Sequence, residues 1–225
     1  MKFAEWEPVY ESILADFGYS RAADETARDE LAALARRFDR DRFAGIDGSI
    51  VAVVGAGPSL SDEIDRAVDA EYVFAASTAA DALLAAGIDV DLMVTDLDKN
   101  VETARELTRA GVPVAAHAHG DNRPAIREWV PRFDLDFTLA TTQAEPAGPV
   151  VNYGGFTDGD RAAFLADEFG AATLAFVGWD LDDPTVGATK AKKLRWAERL
   201  LRWLEVRRGE RFSILDGRRD AVEPP

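Results

Sequence analysis

Residues 89 to 100, DVDLMVTDLDKN, close an apolar run with two aspartates one residue apart, a lysine and an asparagine. Side chains alternate faces along a strand, so a half-buried strand carrying Val90, Leu92 and Val94 is expected to place Asp96 and Asp98 on one face. Neighbouring carboxylates repel each other, and a divalent cation carrying phosphate relieves that repulsion; hard oxygen ligands suit magnesium. A solvated strand end in a very acidic protein would account for the same pair. A second group, HAHGDN, holds both histidines of the chain, His117 and His119, followed by Gly120, Asp121 and Asn122. Imidazole, carboxylate and amide side chains so close together can ligate a metal, orient an acceptor or move a proton.

Two further segments are of similar character. In GAGPSL, Gly55 and Gly57 allow close backbone approach, Ser59 follows, and the next helix offers N–H groups to an anion. In NYGGFTDGDR, Asn152, Thr157, Asp158, Asp160 and Arg161 precede or open a helix, with Thr157 or Asp158 the expected N-cap. Only five of the 26 basic residues are lysine, and four of those five fall in two short segments: Lys99 beside the aspartate pair, and Lys190, Lys192 and Lys193 at the head of the last long helical pattern. A lysine is a compact charge well suited to phosphate oxygens.

These groups need a scaffold that brings strand ends to one edge. Residues 1–44 read as a helical preface, with a break at Gly18 and Ser20. From Ser49 onward, β-rich runs (SIVAVVG, EYVFAAS, DLMVTD, VPVAAHAH, DFTLATT, VVNYGG, TLAFVGWD, FSILD) alternate with amphipathic segments. Such alternation implies right-handed βαβ units and a mostly parallel sheet, in which ligands bind beyond the carboxyl ends of the strands. The expected organisation is an N-terminal helical region over 1–44, an α/β catalytic domain over 45–216 and a frayed tail over 217–225.

Composition removes several classes of function. The formal charge of −15 argues against a nucleic-acid binder and against anionic membranes. Acidic residues spread over nearly every helix suggest a halophilic surface, and the acidic N-terminus without a long apolar run suggests a cytoplasmic protein. The absence of cysteine excludes disulfides, thiolate metal sites and cysteine nucleophiles. GAGPSL departs from the dinucleotide fingerprint, with Leu60 where the third glycine would stand, and no Walker loop occurs.

The ordered set GAGPSL, VTDLD, HAHGDN, NYGGFTDGDR, GWD and KAKKL resembles the archaeal 6-hydroxymethyl-7,8-dihydropterin diphosphokinases, the MptE-like group, over roughly residues 45 to 216. The resemblance implies a Rossmann-like, thiamine diphosphokinase-like core and transfer of the terminal diphosphate of ATP to a reduced hydroxymethylpterin, releasing AMP. It places the reaction in archaeal synthesis of tetrahydromethanopterin or folate-type carriers. Under it, Asp96 and Asp98 bind magnesium, Asp121 and Asp158 or Asp160 complete the metal site or bind the pterin, and His119 accepts the hydroxymethyl proton or orients that oxygen. His117 and Asp121 are the other catalytic candidates. Gly55, Gly57, Ser59, Arg161, Lys190, Lys192 and Lys193 hold ATP, while Asn122, Asn152, Thr157 and Asp158 face the pterin. A metal-dependent sialyltransferase-like glycosyltransferase and a noncatalytic nucleotide sensor are the rival readings. The amphipathic N-terminal helices, with Trp196 and Trp203, supply either core or a homo-oligomer interface.

Overall fold

A computed structural model describes residues 1–225. In chain order the helices are α1 (Phe3–Phe17), α2 (Arg21–Leu34), α3 (Leu60–Glu63), α4 (Ala79–Ala85), α5 (Val101–Arg109), α6 (Arg123–Trp129), α7 (Asp158–Glu168) and α8 (Ala188–Arg208). The strands are β1 (Ile50–Val54), β2 (Tyr72–Ala76), β3 (Leu92–Thr95), β4 (Val114–Ala118), β5 (Thr138–Thr142) and β6 (Thr173–Val177), in the sheet order β5-β4-β3-β2-β1-β6. This is the parallel α/β sheet flanked by helices that the alternating pattern implies. The chain folds as two compact units, Met1–Arg42 with Asp91–Gly154, and Phe43–Val90 with Gly155–Pro225.

In the first unit, α1 buries Trp6, Val9, Tyr10, Ile13 and Leu14, the i, i+3, i+4, i+7 stripe of an amphipathic helix. Burying a side chain such as Ile13 or Leu14 contributes about 1.5–3 kcal/mol, so α1 is a fixed part of this unit. Gly18 ends the helix in the left-handed region (φ 70°), and Ser20 Oγ caps α2 by accepting from the Ala23 amide at 3.3 Å. β3, β4 and β5 pair in parallel, with Met93 opposite Val114 and Ala115 opposite Leu139. Every residue of β3 is buried, so the half-buried strand expected from alternation is corrected: a parallel strand is covered on both faces.

In the second unit, β1 lies between β2 and β6, with Val51 opposite both Tyr72 and Leu174. Helix α7 packs on β1, β2 and α8. The inner side of α8 buries Trp196, Ala197, Leu200, Leu201 and Leu204, which puts Trp196 in the core. Trp203 meets Phe164 of α7 with ring centroids 6.0 Å apart.

Two of the expected strands are absent. Val150 and Val151 make only isolated bridges, to Ala147 and Thr141, and the chain then turns at Gly154 and Gly155, both at φ 92°. FSILD forms a short 3-10 turn over Ser213–Leu215. The Phe212 amide donates to Glu205 Oε1 at 2.8 Å, so it is directed at α8 rather than at a neighbouring strand.

Candidate active site

Strand β3 stops at Thr95, and the acidic motif forms the turn beyond it. Leu97 (φ 64°) and Asn100 (φ 36°) adopt left-handed conformations that cost a non-glycine residue about 1–3 kcal/mol each. Burial of Leu97 and two short-range bonds hold this shape: Leu97 N–H donates to Thr95 Oγ1 at 3.0 Å, and Asp98 N–H to Asp96 Oδ1 at 3.3 Å. Asp96 and Asp98 therefore sit in one tight turn, and the expectation that they share a strand face is corrected. Strand alternation ends before it reaches them.

The loop after β4 comes against this turn. His119 Nε2 lies 3.6 Å from Asp96 Oδ2, with both side chains about one-fifth exposed. The Asp121 amide donates to His119 Nδ1 at 3.4 Å, which favours the tautomer carrying its proton on Nε2, toward Asp96. The Asp121 side chain is exposed. His117, in contrast, is packed within the sheet at 2 % exposure, its Nδ1 3.0 Å from Thr141 Oγ1 on β5. The pair of histidines thus divides into a core residue, His117, and a loop residue, His119.

Asn122 and Asn152 are tethers. Asn122 Nδ2 donates to the carbonyls of Asp96 (2.6 Å) and His117 (2.7 Å), while its Oδ1 accepts from the His119 amide at 3.0 Å. Asn152 Nδ2 donates to the carbonyls of Gln143 and Ala144, and its Oδ1 accepts from the Gly154 amide. Both side chains are buried, and both N–H groups of each amide are occupied by backbone, so in this fold the two residues expected at the pterin serve as tethers. Residues that sequence reasoning passed over also shape this loop. Asp24 of α2 accepts from the Gly120 amide at 2.7 Å, and Tyr10 and Gln143 hold Asp24 in turn. In the sequence Asp24 is one acid among many on an amphipathic helix, and nothing local marks it.

The second unit carries the remaining motifs. Gly55 and Gly57 donate to the carbonyls of Val177 and Gly178, so the turn after β1 lies along the turn after β6. A Cβ at Gly57 would stand 2.8 Å from Gly178 O and against the Asp180 carboxylate. Ser59 donates to Asp180 Oδ2 from both its amide (2.9 Å) and its hydroxyl (2.8 Å). These residues lock two turns together, and Asp180 is the group that does it. Trp179 Nε1 donates to Val53 O at 2.9 Å. Beside it opens a concavity of about 440 Å³ walled by Pro58, Trp179, Leu181, Pro184 and Ile214, with Arg218 at its edge. Its lining also carries Asp180, bonded to Ser59, Asp182, bonded to Arg218, and Asp183, bonded to Thr185.

At the head of α7, Thr157 and Asp160 form a capping box. Asp160 is fully buried and accepts from the Phe156 amide, the Thr157 amide and the Thr157 hydroxyl. Burial pushes its carboxyl above the ordinary aspartate value, against the pull of those donors and of Arg161. Asp160, expected among the metal ligands, is fully buried with its oxygens turned to the helix start. Asp158 pairs with the nearly buried Arg161 at 3.0 Å, so Arg161 is already matched to a carboxylate. On α8, Lys190 is exposed, Lys192 and Lys193 are half-buried, and Lys193 Nζ lies 5.8 Å from the Phe156 ring centre.

For a metal, the donor set is carboxylate oxygen, which fits magnesium. No group of three or more His, Asp or Glu side chains is gathered to hold an ion by itself. Magnesium commonly rests on one or two carboxylates and takes its remaining ligands from water and phosphate, so Asp96 and Asp98 satisfy the protein's share.

A family model described as "6-hydroxymethylpterin diphosphokinase MptE-like" matches residues 24–185. The chain belongs to the MptE-like family. Among curated relatives of this MptE-like chain are the proteins named 6-hydroxymethyl-7,8-dihydropterin pyrophosphokinase from Pyrococcus furiosus and Methanothermobacter thermautotrophicus. Each is 40 % identical; the alignments cover 91 % of this chain and 95 % and 96 % of the relatives. A protein of the same name from Methanocaldococcus jannaschii is 32 % identical, with 91 % and 96 % covered. Among solved structures, the MAf glycosyltransferase from Magnetospirillum magneticum overlaps 72 % of this MptE-like chain and 29 % of its own, at 23 % identity and a TM-score of 0.37. That similarity is too low to carry an argument about fold or activity.

Proposed function

We infer that this chain is a 6-hydroxymethyl-7,8-dihydropterin diphosphokinase, an enzyme that moves a diphosphoryl group from a nucleotide to the hydroxymethyl group of a reduced pterin. The observation that carries this reading is 40 % identity, along nearly the whole length of both chains, to relatives bearing that name. The donor we propose is ATP. The hydroxymethyl oxygen bonds to the β-phosphorus, the bond from that phosphorus to the α,β-bridging oxygen breaks, and AMP leaves with the electron pair.

Such a transfer rests on positioning and charge neutralisation. Asp96 and Asp98 are proposed to hold magnesium, which when bound neutralises developing charge on the phosphates. Of the two roles open to His119, orienting the hydroxymethyl oxygen is favoured, because Nδ1 already receives the Asp121 amide and Nε2 carries the proton. The exposed Asp121 carboxylate on the same loop is then the group assigned to receive the hydroxyl proton, as an aspartate does in protein kinases. Lys190, Lys192 and Lys193 are the cations proposed for phosphate. No helix is long and apolar enough to cross a membrane, and we propose a cytoplasmic site of action.

The test is AMP release from magnesium and ATP at high salt, with and without 6-hydroxymethyl-7,8-dihydropterin, using Asp96→Ala as control. AMP that forms only with the pterin, and not with the variant, is the expected result. If a folded protein makes no AMP, the reading fails and sugar-nucleotide donors become the next substrates to screen.

A further inference from the structure

Gly120 separates His119 from Asp121, and its backbone is fastened from outside the loop. Its amide donates to Asp24 Oδ1 at 2.7 Å. The other oxygen of Asp24 accepts from the Tyr10 hydroxyl at 2.8 Å and from Gln143 Nε2 at 2.7 Å. Asp24 is 3 % exposed, on a helix whose remaining polar side chains face solvent or the edge of the core. Burying a carboxylate is costly unless hydrogen bonds replace its water, and here three neutral donors do so. Burial, with Asp24's charge and its bond beside it, holds the Tyr10 phenol far above its ordinary pKa, so it remains a donor.

The steric contact is as close as the polar one. A Cβ on Gly120 would stand 2.7 Å from Ala23 Cβ, so α2 rests directly on the peptide that joins His119 to Asp121. The segment after β5 is drawn into the same arrangement, because Trp6 Nε1 donates to Gln143 O at 2.8 Å. A tilt of the Gly120 peptide would turn the Asp121 amide away from His119 Nδ1 and swing Nε2 away from Asp96.

We propose that Asp24 is a positioning residue for diphosphoryl transfer: through the Gly120 amide it sets the angle at which His119 faces Asp96. The N-terminal helix pair is thus part of the catalytic apparatus without touching substrate. The proposal rests on the assignment of His119 and Asp96 made under Proposed function.

The experiment uses the full chain and four variants: Asp24→Asn, Gly120→Ala, Ala23→Gly, and Ala23→Gly combined with Gly120→Ala. Asparagine keeps the size of Asp24 but offers one acceptor oxygen to three donors. The expected result for Asp24→Asn and Gly120→Ala is a fall in kcat of about 10-fold to 100-fold, as small misplacements produce, with the KM for ATP within about 2-fold. The double variant relieves the Cβ clash and recovers most of the kcat lost in Gly120→Ala, a rescue that a general loss of stability would not give. In NMR spectra the His119 imidazole cross-peaks, assigned with His117→Gln, shift in Asp24→Asn and Gly120→Ala and return in the double variant. Unchanged kcat and unchanged His119 signals in folded Asp24→Asn would overturn the proposal, as would failure of Ala23→Gly to rescue Gly120→Ala. If the wild-type chain makes no AMP from any donor, the diphosphokinase reading fails separately, and the His119 signals alone decide whether Asp24 positions that ring.

Discussion

Asn122 donates to the carbonyl oxygen of Asp96 at 2.6 Å and so ties the loop after β4 to the turn after β3. Its second N–H binds the His117 carbonyl, and its oxygen takes the His119 amide, so one side chain stitches both ends of the histidine segment to the acidic turn. Asn122→Ala leaves buried carbonyls and an amide without partners, at about 1–3 kcal/mol for each group stranded. The expected outcome is a lower melting temperature together with a fall in kcat of about 10-fold or more, since His119 and Asp96 lose their common brace. Thermal unfolding and steady-state AMP release measure both on the same sample. An Asn122→Ala protein as active as wild type would show that the brace is dispensable.

Substitutions at Asp160 and Asp98 test the proposed division between a structural cap and a magnesium ligand. Asp160→Ala removes the acceptor of the α7 capping box and lowers stability by about 1–2 kcal/mol, while the magnesium concentration for half-maximal activity of the folded fraction stays unchanged. Asp98 is exposed and its own substitution leaves stability within about 0.5 kcal/mol. Asp98→Asn therefore shifts the magnesium requirement upward with little change in unfolding midpoint. The reverse pattern in a magnesium titration would return Asp160 to the metal.

The turn after β1 is sensitive at Gly57 and tolerant at Ser59. Gly57→Ala drives a methyl group into Gly178 O and the Asp180 carboxylate, and such overpacking against backbone costs about 1–3 kcal/mol. Ser59→Ala loses one bond to Asp180 but keeps the amide bond to the same oxygen, so its cost is about 1 kcal/mol. Urea unfolding of the two variants should rank them in that order. An equal or inverted ranking would mean that the turns can separate.

Glu205 makes the fold sensitive to acid. Burial alone would raise its carboxyl, but Arg219, the Phe212 amide and Arg202 outweigh that effect and hold it below the ordinary glutamate value of 4.5. An acid whose pKa is depressed by folding binds fewer protons folded than unfolded, so its stabilising contribution is present above about pH 4.5 and fades as pH falls through the lower, folded value. Glu205→Gln should be less stable than wild type at pH 7, with a gap that narrows under acid until the two converge. A gap independent of pH would show that the carboxylate charge contributes nothing.

Local chemistry in the chain was enough to establish the alternation of strands and helices, the break at Gly18 and Ser20, a helix start at Thr157 or Asp158 and the clustering of polar residues after strands. Each of these follows from residues within one turn or one strand of one another, where periodicity and capping act directly. The same reading failed where a distant partner decided the outcome. FSILD has strand composition, yet the Phe212 amide is taken by Glu205. Asp160 reads from its motif as a candidate ligand, and its bonds to Thr157 in the α7 capping box appear only in the fold. The backbone partners of Asn122 and Asn152 lie far along the chain or across a loop and leave no trace in the sequence, and Asp24 has no local mark at all. Sequence determined which chemical groups this protein has and roughly which strand ends carry them. Tertiary structure decided which of those groups still have oxygens and nitrogens to offer a substrate, because burial and long-range hydrogen bonds are properties of the folded chain and not of any window along it.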